Sequence, residues 1–201
     1  MSAALVTGSA ALVLPYYIGE KVVEVVDGDT FFISNRQPIR LYGVDAPELT
    51  YAYGQQAKTA LTKLVLGKRV ILREPLSDGR GRVMALVYVD GKLVNEYLVK
   101  NGLAVYRRQA GSETQVMKAA NAYARENHLG IFAPDCYQFS PPDPKCPVKG
   151  NIDDRTREKL YIPVGCPVYN QVVIEKNMGE TWFCSENQAL KAGFSKSPSC
   201  R

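Results

Sequence analysis

Apolar and polar residues alternate along three short stretches near the start of the chain. This period of two is typical of strands that bury one face. The stretches cover residues 18–26, 31–34 and 38–44. The turn sequence DGDT separates the first two, and residues 35–37 separate the second from the third. The pattern therefore predicts an antiparallel meander.

Helical spacing follows the third strand. Apolar residues recur three and four positions apart over residues 53–67, which predicts a helix. Two strands and two helices complete this part of the chain: 68–74, 82–90, 93–102 and 112–130, the last with Ser112 as its N-cap. Five strands with a helix after the third predict a mainly β fold with α, a five-stranded OB-fold barrel plus three helices.

The composition changes at residues 134–147, where prolines cluster and a linker is predicted. After it, strand-like segments at 159–164, 171–175 and 181–184 precede a short helix with a Ser185/Gln188 capping box. We therefore expect four regions: an apolar N-terminal segment (1–17), an OB-fold domain (18–133), the linker (134–147) and a small α+β tail module (148–201).

All five cysteines lie in the last third of the chain: Cys136, Cys146, Cys166, Cys184 and Cys200. A small unit with a limited core is commonly stabilised by disulfides or a metal. Four cysteines pair in three ways, and the spacing does not choose among them. No CxxC occurs, so disulfides are favoured over zinc, although both stay open.

The N-terminal segment is uncharged from Ser2 to Gly19. It is either an apolar lead into the first strand or an export signal that lacks a basic n-region. Because disulfides persist in oxidising compartments, the cysteines favour export, with the chain either secreted or membrane-anchored.

The net charge is +5 with a pI near 8.9, which suits a polyanionic partner without demanding one. With 46% hydrophobic and 22% charged residues, the chain is not of the intrinsically disordered class.

Four carboxylates are expected at one rim of the predicted meander. Asp27 and Asp29 lie in the first turn, and Asp45 and Glu48 follow the third strand, which ends at the same side of the sheet. Clustered carboxylates repel one another unless a cation joins them. Oxygen ligands without histidine or cysteine favour a hard ion such as Ca²⁺ or Mg²⁺.

Two arginines accompany these acids. Arg40 lies on the third strand, and Arg82 opens the fifth. Guanidinium groups match phosphate oxygens and stay charged at any working pH. A metal-binding acid cluster between two arginines meets the needs of phosphodiester hydrolysis: a polarising cation, a carboxylate for the water and fixed positive charge.

Several separated blocks resemble the staphylococcal nuclease (thermonuclease) family. They run in the family's order from Val22 to Phe132 and read VVDGDTFFI, IRLYGVDAPE, YGQQA, GRVMALVYVDGKLVNEYLVKNGLA and LGIF. The resemblance implies an OB barrel with three helices. The tail resembles a small cysteine-containing module found on exported bacterial nucleases.

The resemblance also implies roles for individual residues. Asp29 and Asp45 are expected to bind Ca²⁺ through their side chains and Ala46 through its carbonyl, with Asp27 supporting the metal loop. Ala46 replaces a threonine of the best-known member. By the same resemblance, Arg40 and Arg82 are expected to bind phosphate, and Glu48 to act as general base or to orient the water. Tyr106 is expected near the nucleotide pocket.

The function implied is hydrolysis of single-stranded or frayed DNA and RNA with little sequence preference, leaving 3′-phosphate ends. No small-molecule cofactor or obligate protein partner is expected, and the chain is expected to be a monomer. Additional basic side chains are candidates for holding the strand, or are solvated surface charges: Lys68, Arg69, Arg73, Arg107 and Arg108.

Two other interpretations remain at this point. The family also includes catalytically inactive nucleic-acid- or protein-binding modules, which typically lose the acids or arginines retained here. An envelope-anchored adhesion unit with the tail as its active part is the other. The nuclease interpretation expects activity to survive largely in residues 20–135 when the tail is removed.

Overall fold

A closed five-stranded barrel forms the larger part of the molecule. The computed structural model describes residues 17–107 and 111–200. The barrel strands are β1 (Tyr17–Val25), β2 (Thr30–Ile33), β3 (Pro38–Leu41), β5 (Arg69–Ser77) and β6 (Val83–Val89), and β4 (Val44–Asp45) is a short strand after β3. They pair in the order β3-β2-β1-β5-β6, and a parallel pairing of β3 with β6 closes the ring. The OB-fold class is thereby confirmed.

Three helices cover the barrel, as the pattern predicts: α1 (Gly54–Val65), α2 (Val94–Lys100) and α3 (Thr114–Glu126). Two short strands, β7 (Lys92–Leu93) and β8 (Val105–Tyr106), flank α2. Fully buried side chains from strands and helices share one core, among them Phe31, Leu72, Leu61, Leu98 and Met117. Each large apolar side chain contributes about 1.5–3 kcal/mol when it leaves water.

The predicted third strand, residues 38–44, is divided in the structure. β3 ends at Leu41, and the chain turns at Tyr42 and Gly43, which has a φ of 72°. The side-chain amide of the buried Asn95 donates to the Tyr42 carbonyl (3.0 Å). β4 then pairs with β8 instead of continuing the barrel. Gly43 supplies the positive φ at which the chain leaves the barrel, and the Asn95 contact from α2 holds the Tyr42 carbonyl in this turn.

The start of α3 also differs from expectation. A 3₁₀ turn (Gly111–Glu113) precedes the helix, Glu113 is its N-cap residue, and no side chain caps it. Ser112 instead donates its backbone N–H to the Glu74 carboxylate at 3.2 Å. The prediction of Ser112 as N-cap was wrong because a long-range acid from β5 draws this residue into the turn.

The tail forms a second, smaller sheet. Its strands β10 (Val148–Ile152), β11 (Lys159–Ile162), β13 (Thr181–Phe183) and β14 (Ser195–Lys196) pair in the order β13-β10-β11-β14. Helix α4 (Glu186–Lys191) packs on this sheet, and Ser185 caps it by accepting the Gln188 N–H. The Gln188 side chain accepts from Cys184 and not from Ser185, so the predicted capping box is only half formed.

Two disulfides join the tail: Cys146 to Cys184 and Cys166 to Cys200. The fifth cysteine, Cys136, is free and buried. Its pKa is raised to about 11, mainly because burial disfavours the thiolate. The structure therefore favours disulfides over zinc in the tail.

The tail pairs through its backbone with the segment that follows the barrel. β9 (Tyr137–Gln138), which lies in the predicted linker, pairs antiparallel with β12 (Ile174–Glu175). Single 3₁₀ turns follow α3 (Gly130–Phe132) and flank β12 (Tyr169–Gln171 and Lys176–Met178). Within the described ranges, no helix is both long and apolar enough to cross a membrane. The predicted segment 1–17 lies outside the described residues except at Tyr17.

Candidate active site

The turn after β1 places Asp29 at the rim of the barrel. Asp27 Oδ1 accepts the backbone N–H of Asp29 (3.0 Å), which fixes the turn. A Cβ at Gly28 would lie 2.6 Å from the Cβ atoms of Ala46 and Ala57. Only glycine therefore lets this turn pack against both α1 and the segment that follows β4. The small side chain of Ala46 suits the same contact.

Arg40 joins the two aspartates. Its Nη1 donates to Asp29 Oδ1 (2.7 Å) and its Nη2 to Asp45 Oδ1 (2.8 Å). Asp29 also accepts the Ala46 N–H through Oδ2 (3.0 Å) and the Thr30 hydroxyl through Oδ1 (2.8 Å). The carboxylates of Asp29 and Asp45, which are predicted to share an ion, thus meet at the Arg40 guanidinium.

Asp29 is almost completely buried, with 3% of its surface exposed. Burial raises the pKa of Asp29 from its ordinary value of 3.8 to about 6, although the Arg40 guanidinium acts in the opposite direction. A buried carboxylate of this kind is stabilised by a compensating positive charge.

Glu48 projects from the loop between β4 and α1 and is exposed. Its position depends on Gly54, the first residue of α1, because a Cβ there would lie 2.1 Å from the Glu48 carbonyl oxygen. The Tyr51 N–H donates to that same carbonyl (2.9 Å). The helix start therefore fixes the backbone that carries the Glu48 carboxylate.

Barrel closure places Arg82 beside Arg40. Arg40 pairs with Met84 across the parallel β3–β6 contact, and Arg82 directly precedes β6. Arg82 Nε donates to Asp78 Oδ2 (2.6 Å), and this hydrogen bond is the main cause that lowers the pKa of Asp78. The ion pair uses the Nε–H of Arg82. The other four N–H donors of this guanidinium are on its two terminal nitrogens.

These side chains line a groove with a volume of about 1180 Å³. Its barrel wall includes charged residues from several elements: Arg40, Asp45, Glu48, Arg80, Arg82 and Arg107. Its tail wall consists of Asp154, Arg157 and Met178. Five arginines against three carboxylates make the lining positive, as a bound polyanion requires.

The carboxylates of Asp29 and Asp45 suit Ca²⁺ in their chemistry. Asp29 and Asp45 approach the same guanidinium, and the Ala46 main chain lies against Asp29, so the ligands expected from the resemblance are neighbours. Oxygen donors of this kind favour a hard divalent cation. Among residues 17–107 and 111–200, no group of three or more histidine, cysteine, aspartate or glutamate side chains is arranged as a metal cage.

The remaining predicted residues divide between groove and surface. Tyr106 is half-buried against the barrel core and does not line the groove, so its nucleotide contact stays a prediction. Arg107 does line the groove, whereas Lys68, Arg69 and Arg73 do not. Arg73 lies over the Tyr88 ring at 4.6 Å. Arg108 lies outside the described residues.

Several residues were not expected from the sequence. Asp78 holds Arg82, and its position four residues earlier in the loop SDGRG was an available signal. Asn95 joins α2 to Tyr42 and to the Val87 N–H (2.9 Å), which positions the strand end that carries the acids. Asp154, Arg157 and Met178 had no local motif, because only folding brings the tail to the groove.

Comparison with known proteins agrees with this geometry. Residues 38–134 match the family described as staphylococcal nuclease homologue. An "Uncharacterized endonuclease" of Escherichia coli is 32% identical over 117 residues, which cover 56% of this chain and 76% of that protein. "Protein ParB" of Escherichia coli is 31% identical over 126 residues, 56% of this chain and 71% of that protein.

A plant protein shows a shorter similarity. "Staphylococcal-like nuclease CAN1" of Arabidopsis thaliana is 35% identical over 95 residues, 47% of this chain and 29% of that protein. The fold and the groove together define the class of this protein: an OB barrel with acids and arginines at one rim. Within that class, this chain belongs to the staphylococcal nuclease homologue family.

Proposed function

We propose that this nuclease is a Ca²⁺-dependent phosphodiesterase that hydrolyses DNA and RNA with little sequence preference. The observation that carries the proposal is the convergence of Arg40, Glu48 and Arg82 on one groove. These side chains come from a strand, a loop and the start of another strand, and the barrel brings them together. Asp29 and Asp45 lie beside them through Arg40.

Each residue has one role in the proposed reaction. Asp29, Asp45 and the Ala46 carbonyl would hold Ca²⁺, which supplies positive charge to polarise a phosphoryl oxygen. Arg40 and Arg82 bind the phosphate and stabilise the charge that grows on its oxygens. Asp27 supports the turn that carries Asp29.

Glu48 acts on the water. Its exposed carboxylate orients the attacking water and takes up the proton as the new P–O bond forms. The P–O5′ bond breaks, the 5′ oxygen takes a proton from solvent water, and a 3′-phosphate end remains. Glu48 then releases to solvent the proton that it took from the attacking water. Because the contacts are to phosphate and not to base edges, we expect little sequence preference. The proposed substrate is single-stranded or frayed DNA and RNA.

The oligomeric state and the export of the enzyme are also proposed. Both walls of the groove come from one chain, so we propose that it acts as a monomer. Two disulfides in the tail support export, since such bonds persist outside the reducing cytosol.

The test compares the purified protein with Glu48→Gln on denatured DNA in Ca²⁺, in Mg²⁺ and in excess chelator. We expect Ca²⁺-dependent cleavage that chelator abolishes and that the variant lowers at least ~100-fold, since losing a general base costs about 10²–10⁴ in rate. Product ends are checked by release of phosphate from the 3′ terminus with a phosphatase.

Glu24→Gln is the matched control. Glu24 is a surface carboxylate on β1 that pairs with Arg36 (2.8 Å) and does not line the groove. Its variant should retain wild-type rates. If the correctly folded wild type cleaves nothing with any of the ions, the nuclease mechanism is excluded, and a binding module on this fold becomes the better description.

A further inference from the structure

The tail supplies one side of the groove in which the proposed reaction takes place. Asp154 and Arg157 come from the loop between β10 and β11, and Met178 ends a 3₁₀ turn. The groove, at about 1180 Å³, exceeds the ~300–1,000 Å³ typical of a small-ligand pocket. A chain of nucleotides is an occupant that fits this size and the positive lining.

The β10–β11 loop is a fixed structure. Asp153 Oδ1 accepts the N–H groups of Arg155 (3.0 Å) and Thr156 (2.7 Å). The Arg157 N–H donates to the Asp153 carbonyl (2.8 Å), and the Asp153 N–H donates to the Glu158 carbonyl (2.9 Å). The hydrogen bonds to the carboxylate lower the pKa of Asp153. These hydrogen bonds therefore fix the backbone from which the side chains of the loop extend.

Arg157 occupies a backbone conformation that favours glycine. Its φ is 63°, in the left-handed region where a Cβ is strained. Glycine or asparagine is the usual residue at such a turn position. Arg36 has a similar φ of 64° outside the groove, so what distinguishes Arg157 is its place in the groove lining.

Arg107 holds the tail loop against the acidic end of the barrel. Its guanidinium lies 3.5 Å from Asp45 Oδ2, 3.3 Å from Asp154 Oδ2 and 3.2 Å from Met178 Sδ. Asp154 thereby offsets the charge of Arg107. Within residues 17–107 and 111–200, Arg157 forms no ion pair, so its guanidinium is the uncompensated charge of the tail wall.

We propose that Arg157 binds the phosphate of a nucleotide that flanks the scissile one, so that the strand passes between barrel and tail. This inference rests on the proposed function. Arg40 and Arg82 hold the reacting phosphate, and Arg157 holds the strand further along. The tail is then a substrate-binding element that favours chains over single nucleotide esters.

The test uses the full chain with Arg157→Gly, because glycine relieves the positive φ and keeps the loop. Arg155→Gly is the matched control: Arg155 lies on the same loop, is exposed and does not line the groove. Two substrates are compared, a twelve-nucleotide single strand and a p-nitrophenyl ester of one nucleotide. Emission from Trp182, the chain's single tryptophan, confirms that the tail is folded.

We expect Arg157→Gly to lower kcat/KM on the twelve-nucleotide strand by roughly tenfold, mostly through KM, since a charge-assisted contact to phosphate is lost. The nucleotide ester should be cleaved within twofold of the wild-type rate. Arg157→Lys should restore part of the loss, and Arg155→Gly should change neither substrate.

Binding without turnover provides the second measurement. A fluorescent strand is titrated into Glu48→Gln with and without Arg157→Gly over a range of salt concentrations. The slope of log K against log salt should become shallower by about 0.7, the value for one phosphate contact on a single strand.

An unchanged salt slope, or an equal loss on both substrates, overturns the role of Arg157. If the wild type cleaves neither substrate, the proposed function fails, while the salt slope still decides whether Arg157 contacts a phosphate.

Discussion

The barrel and the tail are held together in different ways. The barrel domain contains no cysteine. Side chains such as Phe31, Leu61 and Leu98 form one large buried core. The tail has a core of a few buried residues, centred on Tyr161 and Phe194, and two disulfides. A small unit buries too little apolar surface to be stable alone, so covalent links make up the difference.

The same two regions differ in the arginines that they bring to the groove. Arg40 and Arg82 of the barrel are fixed by carboxylates at 2.7 Å and 2.6 Å. Arg157 of the tail is exposed and stands on a strained turn. Preorganised charge is what transition-state stabilisation requires, whereas an exposed charge suits substrate binding. This difference supports the two proposals, that the barrel carries the chemistry and that Arg157 of the tail binds the strand.

Among the changes that test this contrast between the regions, the loss of Arg82 has the largest expected effect. Arg82→Ala should lower kcat by about 10²–10³, because a fixed donor to the developing charge is removed. Steady-state cleavage of the twelve-nucleotide strand measures it, with Arg36→Ala as a control that removes an exposed arginine outside the groove. A change in KM alone would mean that Arg82 acts like Arg157, and the division between the walls would disappear.

Removal of a disulfide is expected to act on the tail. Replacing Cys166 and Cys200 by alanine opens a link that spans 34 residues, which should lower the free energy of unfolding of the tail by about 3 kcal/mol. Denaturant titration followed by Trp182 emission measures the tail, and far-ultraviolet circular dichroism follows the whole chain.

Cys136→Ala is the control for the disulfide variant, because it removes a buried cysteine that forms no disulfide. If both signals shift together by the same amount, the two regions unfold as one unit, and the contrast between them does not extend to their stability.

The smallest effect concerns pH. Burial raises the pKa of Glu180 from 4.5 to about 7, although the N–H groups of Ile152 (2.9 Å) and Glu175 (2.7 Å) donate to this carboxyl and act in the opposite direction. Between pH 4.5 and 7 the unfolded chain has released this proton and the folded tail has kept it. Stability of the tail should therefore fall as pH rises through this window, by less than on removal of the disulfide.

Thermal unfolding followed by Trp182 emission at pH 4.5 and pH 7.5 tests this dependence. The fall should be smaller in Glu180→Gln, which carries no titratable group at that position. A variant with the same pH dependence as the wild type would assign the effect to other groups.

Much of the barrel was predictable because its signals are local. Alternation over residues 18–44 indicated the meander, and the helical spacing of residues 53–67 indicated α1. In a meander, the first turn and the end of the third strand meet at one side, so the proximity of Asp29 and Asp45 followed from strand order. Their shared contact with Arg40 agrees with that expectation.

The sequence alone was sufficient where the period of the side chains and the order of the strands determine the result: the barrel, its rim and the family. Folding was needed where distant segments meet. Asn95 holds the turn after β3, Glu74 binds the Ser112 N–H ahead of α3, and the β10–β11 loop reaches the groove more than 100 residues after Arg40. Such contacts depend on packing between elements, and no local pattern along the chain encodes them.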